Sequence, residues 1–391
     1  MKSKNDLVGD VLSQIKTPLK NITISLTLAC NQGCEHCWVN AGKVIEQELT
    51  NEEIIDALSQ AQKLGAEHVK FTGGEPLARR SFSDLINAST QLGLRTSVET
   101  NGTLVDNDFC ETISGLQHSV HFYISLDGAK PNTHDTFRKM PGAFKKTIKA
   151  LQLLWDRGFY FSIHTVVRKD NITEIPLIFK LANTVGASQL KLILSIHNLG
   201  RGKHLQPNII SSQELFTLLD GLPPHTFWDY AWSPNRSRST ELMTTLPPAF
   251  QPQGNAATTC GWSQSFLSIL ANGDVALCQG LYEVDEAKAG NIRKDSLKEI
   301  WHNSLLFTVS RSWTPDDLKG ICSNCAVAES CRGLCRANAY SEYHDLKAPY
   351  PLCQSLYEEG RFPQAMMIDP NRITQYKPSQ YRNMVGTLRM V

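Results

Sequence analysis

Three cysteines stand close together in the stretch CNQGCEHCW. Cys30, Cys34 and Cys37 follow the apolar run ITISLTL with the spacing C-x3-C-x2-C. Thiols at this density form disulfides, bind zinc or hold an iron–sulfur cluster. Because an iron–sulfur cube normally takes four cysteine ligands, three cysteines would leave one iron open to an outside ligand.

The composition of the chain narrows the choice among these three. It has 391 residues, 41% of them apolar, and a formal net charge of +1, which predicts a large core and gives no reason to expect nucleic acid as a partner. No apolar stretch reaches the roughly 18 residues of a membrane span, and the first residues lack the apolar region of a secretory signal. We therefore expect a cytoplasmic protein with no membrane partner. The 11 cysteines then predict metal binding or catalysis rather than disulfides.

The elements that must position these cysteines are short strands alternating with helices. Strands are expected at 21–28, 68–72, 95–99, 120–125, 159–167 and 189–195. Thr50 and Glu53 form a capping box for a helix that ends at Gly65, and a further helix is expected over 143–158. This alternation predicts the α/β class, with a parallel sheet and right-handed crossovers. Six units are too few for a closed eight-stranded barrel, so we expect a partial (β/α)6 barrel.

Composition shifts along the chain predict its domain boundaries. We expect a helical segment over 1–20, the partial barrel over 21–200, a Pro- and Gly-rich bridge over 201–257, a cysteine-rich domain over 258–357 and a tail over 358–391. In the cysteine-rich domain, SFLSILANGDVALC predicts a hairpin that turns at Asn272 and Gly273.

Polar clusters follow the first four predicted strands at their C-terminal ends. The first is the cysteine triplet, and the others are GGEP at 73–76, ETNG at 99–102 and SLDG at 125–128. Because the carboxyl ends of the strands meet on one face of a (β/α) barrel, these clusters are expected to converge on one mouth.

Together, the triplet and GGEP resemble the radical SAM superfamily. The resemblance implies that Cys30, Cys34 and Cys37 hold a 4Fe-4S cluster whose open iron binds S-adenosyl-L-methionine. The cofactor then yields a 5′-deoxyadenosyl radical that takes a hydrogen atom from the substrate. The implied contacts to S-adenosylmethionine are Gly73, Gly74, Glu75, Thr100, Asn101, Ser125, Asp127, Arg138, and Leu192 or Ile193, with His36 beside the adenine.

A second set of seven cysteines lies downstream, and its spacing resembles the SPASM domain, which holds auxiliary iron–sulfur clusters. The resemblance implies two auxiliary 4Fe-4S clusters. Cys322, Cys325, Cys331 and Cys353 would hold one completely, and Cys260, Cys278 and Cys335 would hold the nearer one, with an iron that is open or bound by a non-cysteine ligand. A structural zinc site is the alternative for such thiols. The eleventh cysteine, Cys110, is expected to be a small buried hydrophobe.

The C-terminal phrase CRGLCRANAYSEYHDLKAPYPLCQSLYEEGRFP resembles enzymes that form three-residue cyclophanes on ribosomal peptides. This resemblance implies an oxidoreductase that joins an aromatic ring carbon of a precursor peptide to a Cβ. Alternatives are a thioether-forming maturase, a formylglycine-forming sulfatase maturase, a haem-precursor enzyme and a non-catalytic zinc scaffold. The sulfatase maturases carry an eighth cysteine soon after the position of Cys260 and an aspartate after that of Cys278, whereas Gln279 stands here.

The chemistry implies further partners and a base. An external donor such as flavodoxin or ferredoxin would supply electrons. Only about twenty residues precede the first strand, so leader recognition is expected from the bridge, from another face or from a separate protein. The basic run GRGK at 200–203 could hold an acidic leader, and candidates for the substrate base are Glu99, Asp274 and His197.

Overall fold

The computed structural model describes residues 17–223, 226–227, 239–250 and 260–376. The predicted helical segment over 1–20 lies almost entirely outside these residues, as does part of the bridge and of the tail. Within them, the chain builds one mixed sheet flanked by helices.

Eleven strands form the sheet. They are β1 Asn21–Ser25, β2 His68–Thr72, β3 Arg95–Thr100, β4 Val120–Ser125, β5 Tyr160–Val166, β6 Gln189–Ile193, β7 Thr226–Phe227, β8 Glu241–Thr244, β9 Phe266–Ile269, β10 Asp274–Ala276 and β11 Lys288–Asn291.

Twelve α-helices are described. They are α1 Asn51–Lys63, α2 Phe82–Gln91, α3 Asn107–Thr112, α4 Pro131–Arg138, α5 Ala143–Asp156, α6 Ile175–Val185, α7 Ser212–Asp220, α8 Leu297–Asn303, α9 Leu305–Arg311, α10 Ala328–Cys331, α11 Arg336–Tyr343 and α12 Pro351–Glu358.

Strands β1 to β6 lie side by side in chain order and are all parallel. Each is joined to the next through at least one helix, the crossover arrangement that parallel pairing requires. The α/β fold with six parallel strands is confirmed, and these strands coincide with the six predicted runs to within a few residues. The common direction places the end of every strand at the same mouth.

The local signals for α1 and for the hairpin are also confirmed. The Thr50 side chain accepts from the backbone N–H of Glu53 while the Glu53 carboxylate accepts from that of Thr50, and Ile54, Ala57, Leu58 and Ala61 form the buried face of the helix. Strands β9 and β10 pair antiparallel across the turn at Gly273, whose φ of +88° favours glycine.

The sheet extends beyond the barrel at both edges, which the sequence did not predict. Strand β9 pairs in parallel with β1, and β10 and β11 follow outward, giving the order β11-β10-β9-β1-β2-β3-β4-β5-β6-β8-β7. The hairpin of the cysteine-rich domain therefore continues the barrel sheet. One hydrophobic core includes β1 to β6, this hairpin, and α8 and α9, with Phe71, Phe122 and Trp301 among its buried members.

Candidate active site

A cavity of about 160 Å³ opens at the C-terminal ends of the barrel strands. The triplet Cys30, Cys34 and Cys37 lines one side of it. The other lining residues are Gln32, His36, Trp38, Val39, Ala41, Thr72, Gly73, Gly74, Glu99, Thr100, Asn101, Ser125, Arg138, His164, Val166, Ile193, Ser195, Ile196, His197 and Arg201. The predicted convergence of the strand-end clusters is therefore present.

Donor groups surround the three thiols. The backbone N–H of Gln32 donates to Cys30 Sγ at 3.4 Å, and that of Ala41 to Cys37 Sγ at 3.3 Å. Arg138 Nη1 lies 3.7 Å from Cys34 Sγ. Such N–H···S contacts stabilise thiolate ligands of iron and tune the metal that they bind, so these residues fit an iron–sulfur cluster.

Burial has the largest effect on the pKa values of Cys30 and Cys34. Desolvation raises the pKa of Cys30 to about 12, and it also raises the pKa of Cys34, which the Arg138 charge partly opposes. Metal ligation requires the thiolates, so loading of the site would release their protons.

The glycine-rich segment packs directly on the loop that carries the triplet. The N–H of Gly74 donates to Thr27 O and the N–H of Glu75 to Ala29 O, both at 2.7 Å. Gly73 has a φ of +145°, and a Cβ there or at Gly74 would collide with the backbone of this loop. Glycine is required here because two backbone segments touch.

Glu75 acts inside the protein rather than on the cavity wall. Its buried carboxylate accepts from Thr100 Oγ1 at 2.6 Å and from the Asn101 N–H at 2.9 Å. These bonds shape the loop after β3, so Thr100 and Asn101 face the cavity. Its predicted contact to the amino group of S-adenosylmethionine stays a prediction, and the geometry gives it a positioning role.

Asp127 and Arg138 form a buried ion pair below the triplet. Arg138 Nε donates to Asp127 Oδ2 at 2.7 Å, and the other carboxylate oxygen accepts from the Val166 N–H at 2.8 Å. Burial opposes ionisation of Asp127, but the Arg138 charge outweighs it and lowers the pKa of this carboxyl below its ordinary value. Ser125 and Arg138 line the cavity, whereas Asp127 is not among the lining residues.

The two candidates for adenine packing differ in position. Leu192 is fully buried in the core, while its neighbour Ile193 lines the cavity. His36 also lines the cavity, and its ring stacks on Phe137 with centroids 4.7 Å apart. Both contacts to S-adenosylmethionine stay predictions, and Ile193 is the better placed of the pair.

The downstream cysteines form two separate groups. Cys322, Cys325, Cys331 and Cys353 line one small apolar pocket, here called the far pocket, together with Pro248, Ile321, Tyr350, Phe362 and neighbouring residues. Cys260, Cys278 and Cys335, here called the near group, are close enough for the charges of the latter two to raise the pKa of Cys260 further, after burial. The seven cysteines therefore lie in the two sets proposed for the two auxiliary clusters, and their roles as ligands stay predictions. Cys110 is buried elsewhere, in the main core.

The near group borders the cavity of the triplet. His197 lines that cavity, and its Nε2 lies 3.6 Å from Cys335 Sγ. Gln279, which follows Cys278, donates to Glu99 Oε2 at 3.5 Å, and Glu99 lines the cavity as well. Two side-chain contacts therefore connect the near group to residues that line the cavity of the triplet.

A layer of charged residues inside the barrel escaped sequence reasoning. Lys70 of β2, His164 of β5 and Lys191 of β6 are buried and surround Glu99 of β3. From the sequence, all three are expected only as strand residues. A lysine within an otherwise apolar run, as in HVKFT or QLKLILS, was the available signal.

Two other residues have local structural roles. Asp274, a base candidate, is hydrogen-bonded to Asn272 and Asn291 in the β9–β10 hairpin and is not among the cavity-lining residues. Arg201 of GRGK donates to the carbonyls of Cys34 and Ala41, both at 2.8 Å, so it holds the loop of the triplet. No helix in the described part of the chain is long and apolar enough to cross a bilayer.

Comparisons with known proteins agree with this arrangement. The model of the Radical SAM superfamily matches residues 24–182, and that of the SPASM iron–sulfur cluster-binding domain matches residues 260–326. The chain is 30% identical to the AdoMet-dependent heme synthase of Methanosarcina barkeri over 87% of its own length and 97% of the relative. It is 27% identical to the Mycofactocin maturase MftC of Mycobacterium tuberculosis, over 86% and 83% of the two chains.

Another relative is the PqqA peptide cyclase of Gluconobacter oxydans, 25% identical over 90% of this chain and 95% of the relative. Among solved structures, Streptococcus suis SuiB bound to S-adenosylmethionine superposes with a TM-score of 0.67 at 16% identity. That alignment covers 86% of this chain and 78% of SuiB. At this identity, the likeness to SuiB supports the fold alone.

Proposed function

Because the chain belongs to the radical SAM superfamily and carries a C-terminal SPASM domain, we propose that it oxidatively crosslinks a ribosomally made precursor peptide. The bond would join an aromatic ring carbon to a Cβ, forming a three-residue cyclophane. Family membership makes the chain an enzyme and rules out the non-catalytic zinc scaffold. Its cofactors are S-adenosylmethionine, a 4Fe-4S cluster and the auxiliary iron–sulfur clusters of the SPASM domain.

The residues of the mouth prepare the first step. Cys30, Cys34 and Cys37 would hold the cluster, and S-adenosylmethionine, once reduced there, supplies the radical that removes a hydrogen atom from the substrate. Gly73 and Gly74 bring backbone close to the triplet, and the loop after β3 presents Thr100 and Asn101.

The contact between the near group and the cavity carries the proposal. A ring attacked by a Cβ radical holds one electron too many and must lose it before the ring becomes aromatic again. The near group adjoins the space where that ring would lie. Cys335 contacts His197, and Gln279 contacts Glu99, and both His197 and Glu99 line the cavity. An electron acceptor at this place suits an oxidative crosslink.

The peptide nature of the substrate is supported by two relatives. They are named Mycofactocin maturase and PqqA peptide cyclase, and each aligns with more than four fifths of this chain. The choice of a cyclophane depends on the resemblance of the C-terminal phrase. Electrons would come from flavodoxin or ferredoxin, and leader recognition from the bridge or from a separate protein.

A second candidate function is modification of a haem precursor. The relative at 30% identity is an AdoMet-dependent heme synthase, and the same near group could accept electrons from a tetrapyrrole side chain. A tetrapyrrole titration followed by its visible absorption, in parallel with the peptide assay, distinguishes the two.

The test is anaerobic co-expression with a short peptide encoded beside the gene, followed by tandem mass spectrometry. Loss of two hydrogens confined to an aromatic-led tripeptide, absent with Cys34→Ala and retained with Cys110→Ala, is the expected result. Loss of two hydrogens at a cysteine would instead establish a thioether, and replacement of a cysteine thiol group by an aldehyde would establish formylglycine. An unmodified peptide together with tetrapyrrole turnover would show that the enzyme modifies a haem precursor instead.

A further inference from the structure

The charged layer inside the barrel surrounds one carboxylate that opens to the cavity. Glu99 extends from β3, and about 25% of its side chain is exposed, at a position where it lines the cavity of the triplet. Lys70 from β2, His164 from β5 and Lys191 from β6 approach it from other strands. A charged group in this position is costly unless it is paired, and Lys70 supplies that pairing.

The two oxygens of this carboxylate have different surroundings. Oε2 lies 3.3 Å from Lys70 Nζ, accepts from Thr72 Oγ1 at 3.1 Å and accepts from Gln279 Nε2 at 3.5 Å. Oε1 lies 3.7 Å from His164 Nδ1, beyond ordinary hydrogen-bond distance. One oxygen is thus anchored by short contacts, while the other is held more loosely and can accept a proton.

Charges around Glu99 keep it ionised. Burial opposes ionisation, but the charge of Lys70 and the polar contact with His164 hold the pKa of this carboxyl well below its ordinary value. Burial also lowers the pKa of His164 to about 4, so at neutral pH the imidazole is uncharged. The group that faces the cavity is therefore an anion at neutral pH. Its low pKa makes it a weak base, which suffices for the strongly acidic C–H proton of a ring that is losing its electron.

Glu99 also lies at the boundary between the two cysteine groups. Its anchored oxygen contacts Gln279, the residue after Cys278, while the cavity on its other side is lined by Cys30. A proton leaving the substrate here departs next to the group that takes the electron. Removing both from one place avoids leaving a charged ring in a low-dielectric site.

We propose that Glu99 is the base that removes the ring proton during crosslinking, an inference that rests on the proposed function. The Cβ–H hydrogen atom goes to the 5′-deoxyadenosyl radical, and a bond forms between Cβ and a ring carbon. The C–H bond at that ring carbon then breaks. Its proton goes to Glu99 Oε1 and the remaining electron goes to the near auxiliary cluster, so the peptide is oxidised by two electrons in total.

The other base candidates are placed less well. Asp274 is engaged within the β9–β10 hairpin by Asn272, Asn291 and Lys288. His197 lines the cavity, but its Nε2 is directed at Cys335 Sγ and its ring lies against Trp38, with centroids 4.5 Å apart. Its geometry suits contact with the near cluster rather than proton removal.

The test compares Glu99→Gln and Glu99→Asp with wild type. Glu67→Gln is the matched control, because Glu67 is an exposed carboxylate that pairs with Arg95 at the surface. The probe is the synthetic precursor peptide, deuterated at Cβ. With Glu99→Gln we expect iron content and S-adenosylmethionine binding, measured by equilibrium dialysis, to be unchanged. Deuterium should still reach 5′-deoxyadenosine, while crosslinked peptide falls at least about a hundredfold. Glu99→Asp should recover part of the product.

Several results of the same experiment would contradict the proposed role of Glu99. Crosslinking by Glu99→Gln within about threefold of wild type would overturn the role of Glu99 as base. Loss of S-adenosylmethionine binding or of deuterium transfer in this variant would also overturn it, by assigning Glu99 to cofactor binding. If wild type leaves the peptide unmodified, the proposed function itself has failed, and that outcome is visible before any variant is made.

Discussion

The cysteines at the mouth of the barrel and those of the far pocket lie in contrasting surroundings, although both sets are expected to hold a cluster through thiolates. At the mouth, Cys30, Cys34 and Cys37 line a cavity of about 160 Å³ with charged and hydroxyl-bearing neighbours. In the far pocket, four cysteines enclose about 20 Å³ between proline, isoleucine and phenylalanine side chains. A cluster that must admit a cofactor and a substrate needs the first arrangement, whereas one that only carries electrons is protected by the second.

The strongest way to separate the two regions is to remove one ligand from each and follow cleavage of S-adenosylmethionine. Cys34→Ala should reduce reductive formation of 5′-deoxyadenosine to background, because the open iron is lost with its cluster. Liquid chromatography with dithionite as donor measures this. Cleavage at the wild-type rate would show that the mouth does not hold the catalytic cluster.

The matching change in the far pocket is Cys325→Ala. We expect cleavage of S-adenosylmethionine to continue, while crosslinked peptide stops at about one equivalent per enzyme because the near cluster can no longer pass its electron on. Product counted over several turnovers gives the result. Undiminished multiple turnover would mean that the far cluster lies off the electron path.

A smaller effect tests how the mouth is stabilised. Asp127→Asn leaves Arg138 as a buried charge without its carboxylate, so the free energy of unfolding should fall by about 3–5 kcal/mol. Chemical denaturation of the iron-free protein, followed by circular dichroism, measures the loss. The surface variant Glu111→Gln removes an exposed ion pair with Arg157 and should cost less than about 1 kcal/mol.

The smallest effect concerns the apolar seal of the far pocket. Phe362→Leu should cost about 1.5 kcal/mol or less, yet it should speed bleaching of the far cluster in air, because Phe362 lines the pocket. The control is Val39→Ala. Val39 lines the cavity of the triplet, which is already open, so its truncation should not change access of air to the far pocket. Equal bleaching rates in the two variants would show that the seal does not protect the far cluster.

Local signals were sufficient to predict much of this molecule. The capping box of Thr50 and Glu53, the turn at Gly273 and the apolar strand runs each depend on residues a few positions apart. The convergence of the strand-end clusters followed from the common direction of parallel strands. These inferences needed no knowledge of long-range packing.

What the sequence could not predict involves partners far apart along the chain. The pairing of β9 with β1 joins residues more than two hundred positions apart. Glu99 is paired by Lys70 and contacted by Gln279, and neither pairing leaves a local pattern. Likewise, the sequence shows Arg201 only as part of a basic loop, although its guanidinium donates a hydrogen bond to the carbonyl of Cys34.

The parallel pairing of β9 with β1 has a consequence for engineering. Between Asn21–Ile24 and Phe266–Ile269 the two domains share one continuous ladder of backbone hydrogen bonds. The cysteine-rich domain therefore cannot be exchanged between enzymes as a tethered module, because cutting it away would expose an unpaired edge on β1. A chimera would have to keep β9 to β11 together with the barrel and join the two parent sequences after Asn291. The parent that supplies the barrel would then set the distance between the triplet and the near group.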